Sequence, residues 1–265
     1  MSQVGKEVAA GLEPAISEGH YARKQLLCKS RLISWSHRSR FDIGLKLARR
    51  VRAARTLDYG CGDGTFVAML ASDAGARPGE IVGVEIGEEL VADCRARLGG
   101  GGASFALADE LDAPEHAGAY DAVFCMEVLE HVVGLEPVLE RIERVLAPSG
   151  TLLVSVPVET GLPLLLKQGI RRVAGWRGLG DYKHTSSYTL GEYWASVFAG
   201  ARQHIARPVY GDAGRQYHDH KGFNWMRLRA VLSERFELRE VLSSPVPRLT
   251  PHLASQVWFV AGKRT

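Results

Sequence analysis

At 265 residues, with 46% hydrophobic and 24% charged side chains, the chain is sized for one large α/β domain with embellishments or two small domains, in the composition of a soluble globule. A net charge of +3 is too small to imply a polyanionic partner, and the four cysteines (Cys28, Cys61, Cys94, Cys125) show neither a C-x-x-C pair nor metal spacing, so they read as reduced thiols. No apolar run reaches membrane-spanning length and the N-terminus lacks an apolar leader core, which sets the expectation of a cytoplasmic protein.

Residues 1 to about 18 are weakly patterned. From Tyr21 to Arg52 apolar residues recur at mixed three and four spacings, Leu26, Leu32, Trp35, Phe41 and Leu45 among them, and predict a helical cap over residues 1–54. The charge collects here: eleven Lys or Arg lie between His20 and Arg55 against one acid, Asp42, so the remainder is mildly acidic. The ordinary reading of these arginines is a solvated face; the sharper one turns one or two of them inward toward an anion.

Next comes a short strand, Arg55–Tyr59, then Gly60-Cys61-Gly62-Asp63-Gly64, then a helix predicted over Thr65–Ala74. A strand running through a glycine turn into a helix N-terminus is the geometry that cradles a nucleotide-like ligand. The glycines let backbone approach a ligand and accept positive φ. A dinucleotide fingerprint needs G-x-G-x-x-G. Here the third glycine arrives one residue early, and Asp58 stands two residues before the first. An acid beside the loop disfavours a pyrophosphate, which argues against a dehydrogenase. A ligand with a cationic end fits better.

Strands and helices then alternate. Glu80–Glu85 reads as a strand, Glu88–Leu98 as a helix, Ala103–Ala108 as a strand after the four-glycine break, and Tyr120–Cys125 as a buried strand. A helix over Gly134–Leu146 and a turn at Pro148-Ser149-Gly150 lead to the strand Thr151–Val156. Such alternation over 55–157 implies a parallel sheet with helices on both faces. Residues 158–222 break the rhythm and read as an inserted lid, with the basic amphipathic stretch Leu162–Trp176, glycine-rich Gly175–Gly180 and a helix from about Thr189. In 223–265 a helix, Asn224–Arg235, precedes a strand pair, Phe236–Ser243 and Ser255–Ala261.

The stretch Thr56–Phe66 resembles motif I of the class I S-adenosylmethionine-dependent methyltransferases. The run Tyr120-Asp121-Ala122-Val123-Phe124-Cys125-Met126-Glu127-Val128-Leu129-Glu130-His131-Val132 resembles the segment that follows in the broad group of quinone, sugar and natural-product O-methyltransferases. The resemblance covers about residues 55–157. It implies a doubly wound, seven-stranded, mostly parallel sheet of order 3-2-1-4-5-7-6, with strand 7 antiparallel. It also implies the cofactor S-adenosyl-L-methionine, leaving as S-adenosyl-L-homocysteine, and a small-molecule acceptor. The C-terminal strand pair agrees with strands six and seven.

With that cofactor, Asp58, Gly60, Cys61, Gly62 and Gly64 would hold the methionine end, and Arg38 or Arg40 its carboxylate. Glu85, about 20 residues beyond the glycine turn, would accept both ribose hydroxyls; alone it would read as a surface carboxylate. Ile86 would pack on the adenine, Asp109 and Glu110 would lie at its amino group, and Leu111 and Met126 would wall it. Glu127 completes the cofactor set.

Methyl transfer to a hydroxyl needs a base, and His131 is the candidate; the ordinary reading is a helix-start histidine bonded to backbone. In ubiquinone-pathway O-methyltransferases the residues matching Glu127, Glu130 and His131 can bind a divalent metal, but no metal is assigned here. Tyr21, His184, Tyr188, Tyr217, His218 and His220 are the candidate acceptor contacts. Leu162–Trp176 reads as a lid helix whose apolar side packs home, with contact to an anionic membrane as its alternative. Two rivals remain: a nucleic-acid methyltransferase using the basic cap, disfavoured because no N-P-P-Y-type motif follows strand four, and a non-catalytic binder of the same cofactor.

Overall fold

The computed structural model describes residues 14–19, 21–26, 31–76, 78–99, 102–176, 188–212 and 215–264. The cap begins with a helical turn, Pro14–Ser17, and a π-helical turn, Ala22–Leu26, ahead of a 21-residue helix α1, Arg31–Val51. Strand β1, Arg55–Tyr59, follows and is the axis of the sheet. It pairs in parallel with β2, Glu80–Glu85, on one side and with β4, Tyr120–Met126, on the other, so Leu57 lies opposite both Val82 and Val123. A strand covered on both faces needs apolar residues at consecutive positions, which is why Val123 stands in the unbroken apolar run Ala122–Cys125.

Strand β3, Ala103–Leu107, pairs in parallel with β2. The sheet has seven strands in the order β3-β2-β1-β4-β5-β9-β8, where β5 is Leu146–Pro157, β8 is Phe236–Ser244 and β9 is Gln256–Lys263. Counted within the sheet alone, this is the predicted order 3-2-1-4-5-7-6. The numbering differs because β6, Val209–Asp212, and β7, Arg215–His218, form a separate antiparallel hairpin. Sequence reading left Gln216–Lys221 as a polar cluster and missed that hairpin.

Several element boundaries shift from expectation, and two of the departures have a visible local cause. Helix α2, Thr65–Ser72, stops short of the expected Ala74, because Asp73 turns its carboxylate onto the following chain. That carboxylate accepts from the Gly75 and Ala76 amides at 2.9 and 2.8 Å and from Arg49, an aspartate turn competing with the helix. Strand β5 starts at Leu146 and runs through Pro148–Gly150, where a turn was expected. Leu146 is buried and its carbonyl accepts from Lys263 Nζ at 3.0 Å, which holds this segment extended.

The chain divides into two compact units. One comprises the described residues up to Met126 with Glu136–Val154 and those from Val260 on; the other comprises the described residues of Glu127–Leu135 and Ser155–Phe259. In the first, Phe41, Phe66 and Phe124 form an aromatic column, with centroids 5.8 Å apart for Phe41–Phe66 and 5.0 Å for Phe66–Phe124. Helix α3, Glu88–Leu98, contributes the buried Val91 and Cys94 to the same unit, and helix α4, Leu135–Val145, contributes Leu139, Ile142 and Val145, all of which are buried. In the second unit, Trp225, Phe236, Trp258 and Phe259 are buried. Asn224 caps helix α7, Trp225–Arg235, by accepting from the Met226 and Arg227 amides.

The insertion also holds helices α5, Gly161–Trp176, and α6, Leu190–Val197. Thr189 and Glu192 cap α6 reciprocally, as the predicted start near Thr189 requires. On α5 the apolar side divides: Pro163 and Leu164 are buried, whereas Leu162 and Leu166 are 60% and 67% exposed. Among the described side chains of α5, the expectation that this side packs home holds for Pro163 and Leu164 and not for Leu162 and Leu166. Lys167 is fixed, its Nζ donating to Val158 O, Glu159 Oε1 and Ser255 O at 3.0, 2.8 and 3.1 Å. Among the described residues no helix is long and apolar enough to cross a membrane.

Candidate active site

The glycine loop explains its own composition. Gly60, Gly62 and Gly64 have φ of 76°, 56° and 73°, the left-handed region that L side chains avoid. The Gly60 and Cys61 amides both donate to Val84 O, at 2.8 and 2.9 Å, fastening the loop to β2. A Cβ on Gly64 would lie 2.6 Å from Leu98 Cδ1 and 3.1 Å from Phe105 Cε1, so this glycine serves packing. A Cβ on Gly62 would meet nothing within 4 Å. Its side of the loop is open, which suits a ligand's approach.

Glu85 reaches that loop from the end of β2. Its Oε2 accepts from the Gly62 amide at 3.0 Å and its Oε1 from the Ile86 amide at 2.7 Å. A carboxylate has about four lone-pair sites, so capacity for further donors remains. Ile86 stands beside it, 59% exposed. Asp58, on β1, is buried, and its Oδ2 has no hydrogen-bond partner among the described residues. Burial, and secondarily the charge of Glu85, push its carboxyl up to about 7 against the opposing pull of Arg40. A buried carboxyl short of one partner, next to a second carboxylate, can accept an added cationic donor.

The cap arginines are engaged locally. Arg38 donates through Nε and Nη2 to Leu26 O, at 3.3 and 2.9 Å. Arg40 donates to the Tyr21 hydroxyl and lies over the Tyr21 and Phe41 rings. The Tyr21 hydroxyl also meets His37 Nδ1 at 2.7 Å. Tyr21 therefore belongs with the cap and glycine loop, although sequence reading gave it to the acceptor.

Sequence reading overlooked Asp63. Its carboxylate accepts from the Tyr21 and Ala22 amides at 2.8 and 3.3 Å and from Thr65 N and Oγ1 at 3.2 and 2.7 Å. The signal was an aspartate two residues before a threonine at a helix start, an ordinary aspartate-turn pattern.

The expected adenine surroundings split. Asp109 is exposed at the start of a 3₁₀ turn, Glu110–Asp112. Glu110 Oε1 is occupied by the Leu107 amide at 2.7 Å and stands 3.6 Å from Arg95 Nη2. Leu111 is fully buried and packs in the core, so the exposed apolar surface expected of it is supplied by Ile86. Met126 is half-buried at the end of β4. Cys61 is buried, with Cys94 as its partner thiol; that hydrogen bond and burial hold the Cys61 thiol above its usual range.

In the second unit, Glu127 has φ of 56°, a strained value for a residue with a side chain. Its amide donates to Ser155 O at 2.8 Å and its Oε1 accepts from Ser155 Oγ at 3.3 Å. His131 lies on a turn before α4, correcting the expectation of a place on a helix. Its amide donates to Val128 O at 2.8 Å, and its Nδ1–H to His218 O at 2.8 Å. A carbonyl oxygen only accepts, so Nδ1 carries a proton, and in the neutral ring Nε2 is the nitrogen with the lone pair. That Nε2 lies 3.8 Å from Oε1 of the buried Glu130.

His220 joins them, its ring 4.8 Å from that of His131 at 71°. Burial holds the His220 pKa below its ordinary value and so favours the neutral imidazole, against the opposing pull of Glu159. One ligand-type atom each from Glu130, His131 and His220 lie within 4.8 Å of one another. The motif trio Glu127, Glu130 and His131 is thus replaced, as a cluster, by one in which His220 stands for Glu127.

The other candidate acceptor contacts are more peripheral. His218 donates through Nδ1 to Pro208 O at 2.8 Å. Tyr217 is 43% exposed and packs on Tyr210. The Tyr188 hydroxyl accepts from the Gly222 amide at 3.3 Å, and Lys221 lies over its ring. His184 lies outside the described residues.

A doubly wound sheet with a left-handed glycine turn after β1 and an acid ending β2 defines a Rossmann-like fold. The family profile described as "Methyltransferase domain" matches residues 51–202. The chain belongs to that family, as a class I methyltransferase by fold. It is 34% identical over 140 residues to a ubiquinone biosynthesis O-methyltransferase of Xanthomonas oryzae pv. oryzae, covering 49% of this chain and 55% of that one. It is 35% identical over 100 residues to the enzyme of that name from Cronobacter sakazakii, covering 36% and 39%. The chain thus spans about half or less of these relatives. Among solved structures it is similar to the CurJ carbon methyltransferase, with TM-score 0.55 and 18% identity over 98% of this chain and 63% of that one. A Pyrococcus horikoshii OT3 protein gives TM-score 0.51 and 18% identity over 89% and 93%. At such identities the likeness concerns the fold.

Proposed function

We propose that this protein transfers a methyl group from S-adenosyl-L-methionine to a hydroxyl of a small-molecule acceptor. The observation that carries the cofactor assignment is Asp58, a buried carboxyl with one oxygen unpartnered among the described residues, beside a loop open at Gly62. Asp58 would take the ammonium. The free lone pairs of Glu85 would take the ribose hydroxyls, exposed Ile86 would cover one face of the base, and Asp109 would accept from its amino group. Arg38 or Arg40 would serve the carboxylate by leaving its present oxygen partner. When bound, the cofactor supplies a methyl group on a sulfonium that departs as a neutral thioether.

The hydroxyl acceptor follows the names of the curated relatives. As the acceptor oxygen bonds to the methyl carbon, its proton passes to His131 Nε2, the nitrogen left with a lone pair by the Nδ1–H bond to His218 O. Residues 158–222 would form the lid over the acceptor, with residues 1–54 as cap and 55–157 and 223–265 as core. Calorimetry with S-adenosylhomocysteine on Gly62→Val and Glu85→Ala tests the cofactor site. Near-wild-type affinity in both variants would sink it.

A second reading concerns the same cluster. The grouping of Glu130, His131 and His220 favours a divalent cation there, held by one carboxylate oxygen and two neutral imidazole nitrogens, the donor set of a transition ion. Such an ion would acidify an acceptor hydroxyl, and His131 would then be a ligand instead of the base. Under the base reading a chelator leaves methyl transfer intact. Loss with chelator, restored by manganese or magnesium, selects the cation.

A further inference from the structure

We propose that Arg207 is a positioning residue whose guanidinium sets His131 and His220 against each other. The proposal rests on the reading that this pair handles the acceptor. It begins with where the arginine's donors go. Nη2 donates to Glu130 O and, at 2.8 Å, to Asp219 O, while Nε donates to Lys221 O at 3.4 Å. Glu130 O belongs to the peptide that enters His131. Asp219 O and Lys221 O flank His220 on either side. One planar fork therefore grips the backbone of both histidines, which come from segments 77 and 12 residues away from it in sequence.

Among the described residues, the ring contact of His131 with His220 apart, the other bonds joining those segments end at His218 or before it, the His131 Nδ1–H bond to His218 O included. The bridge between Val132 and Tyr217 and the His218 amide bond to His131 O, at 2.9 Å, join the turn to the end of β7. Neither reaches past His218 to His220. Local chemistry is arranged around the arginine. The Phe223 ring lies 5.3 Å from the guanidinium carbon, a cation–π contact in a half-buried setting. Gly222, at φ +74°, lacks the Cβ that would stand 2.8 Å from Ala206 O and 3.1 Å from Arg207 Cγ, so the stem passes close to the backbone. The next residue, Pro208, gives its carbonyl to His218 Nδ1–H. Lysine, a point charge with rotatable donors, cannot span three carbonyls in one plane.

The test reads the two imidazoles directly, by ¹⁵N NMR of the rings in Arg207→Met, Arg207→Lys and Arg207→Ala. In the unaltered protein His131 should be mainly the Nδ1–H tautomer. In Arg207→Met its Nδ1–H to Nε2–H ratio should fall about fivefold, what one neutral hydrogen bond sustains, with the His220 signals shifting too. Arg207→Lys should fall between the two, and guanidinium ion added to Arg207→Ala should move the signals back. Binding of S-adenosylhomocysteine, which needs none of these residues, should stay within about twofold, the scatter of an unaffected site. Unchanged His131 and His220 signals in folded Arg207→Met would overturn the proposal. So would unfolding of both Arg207→Met and Arg207→Lys, which makes the residue a fold element only. If His131→Ala keeps full turnover, the base assignment fails while the ring spectra still decide the role of Arg207.

Discussion

Asp58 should make cofactor binding a proton-linked event. Its carboxyl stands at about 7 in the free protein, so near neutrality it is divided between the acid and the carboxylate. An ammonium placed against it favours the carboxylate and drives the proton off. Observed affinity then weakens below its limit by the reciprocal of the deprotonated fraction. That factor is about elevenfold at pH ~6 and about 1.3-fold at pH ~7.5, a ratio of about eight between them.

The sign for stability follows from the same shift. Between the ordinary value of 3.8 and about 7 the folded state holds a proton that the unfolded state has lost. Free-protein stability is full below that window, declines as pH rises through it, and levels off above about 7. The gap is worth on the order of 4 kcal/mol. Ligand should restore that loss, so the rise in melting temperature it confers should grow with pH. Calorimetry with S-adenosylhomocysteine in buffers of different ionisation enthalpy measures both the affinity slope and the proton released. Asp58→Asn should remove the slope and weaken binding by about tenfold to a hundredfold, the worth of a hydrogen bond to a charged group. A flat affinity between these pH values with no proton release would refute the linkage.

Four further outcomes are expected. Gly64→Ala, forcing a methyl group against Leu98 and Phe105 at positive φ, should lower the melting temperature, whereas Gly62→Val should abolish cofactor binding with a smaller loss of stability, both read by thermal shift and calorimetry. Phe66→Ala, which empties the middle of the Phe41–Phe124 column, should cost about 3–5 kcal/mol in urea unfolding. His131→Ala should lower kcat by about 10²–10⁴-fold once an acceptor is found, the range for a lost general base, with cofactor affinity unchanged by calorimetry. If 158–222 closes over acceptor, limited proteolysis there should slow when cofactor product and acceptor are both present; equal cleavage would assign that segment a different task.

The glycine turn and the acid at the end of β2 were legible because local chain geometry demanded specific residue types. Three left-handed turns call for glycine, and an acid at the end of β2 is in reach of the loop by strand pairing alone. The strand and helix alternation by itself implied only a parallel sheet with helices on both faces; the strand order came with the family resemblance. The approach of His220 to His131 was not legible. It depends on contacts 87 residues apart and on an antiparallel hairpin whose polar residues, Arg215 to His218, carry no strand-like alternation. Arg207 was hidden for a related reason: an arginine before a proline in an irregular stretch gives no periodic signal, and its partners are carbonyls, which every residue possesses. Leu111 shows the reverse error. An apolar residue just after a strand suits a ligand wall and a core position equally, and only packing separates them.

The four bonds to Asp63 bear on how this protein could be watched at work. The Tyr21 and Ala22 amides end on the carboxylate of a residue that also sets the glycine loop's last turn. Exchange of those two protons with deuterated water requires that grip to open, so their exchange rates are a gauge of loop closure placed 41 and 42 residues upstream. A ligand that tightens the loop would slow both clocks without touching either amide. The cap would then report occupancy from its own backbone, needing neither a label nor an identified acceptor.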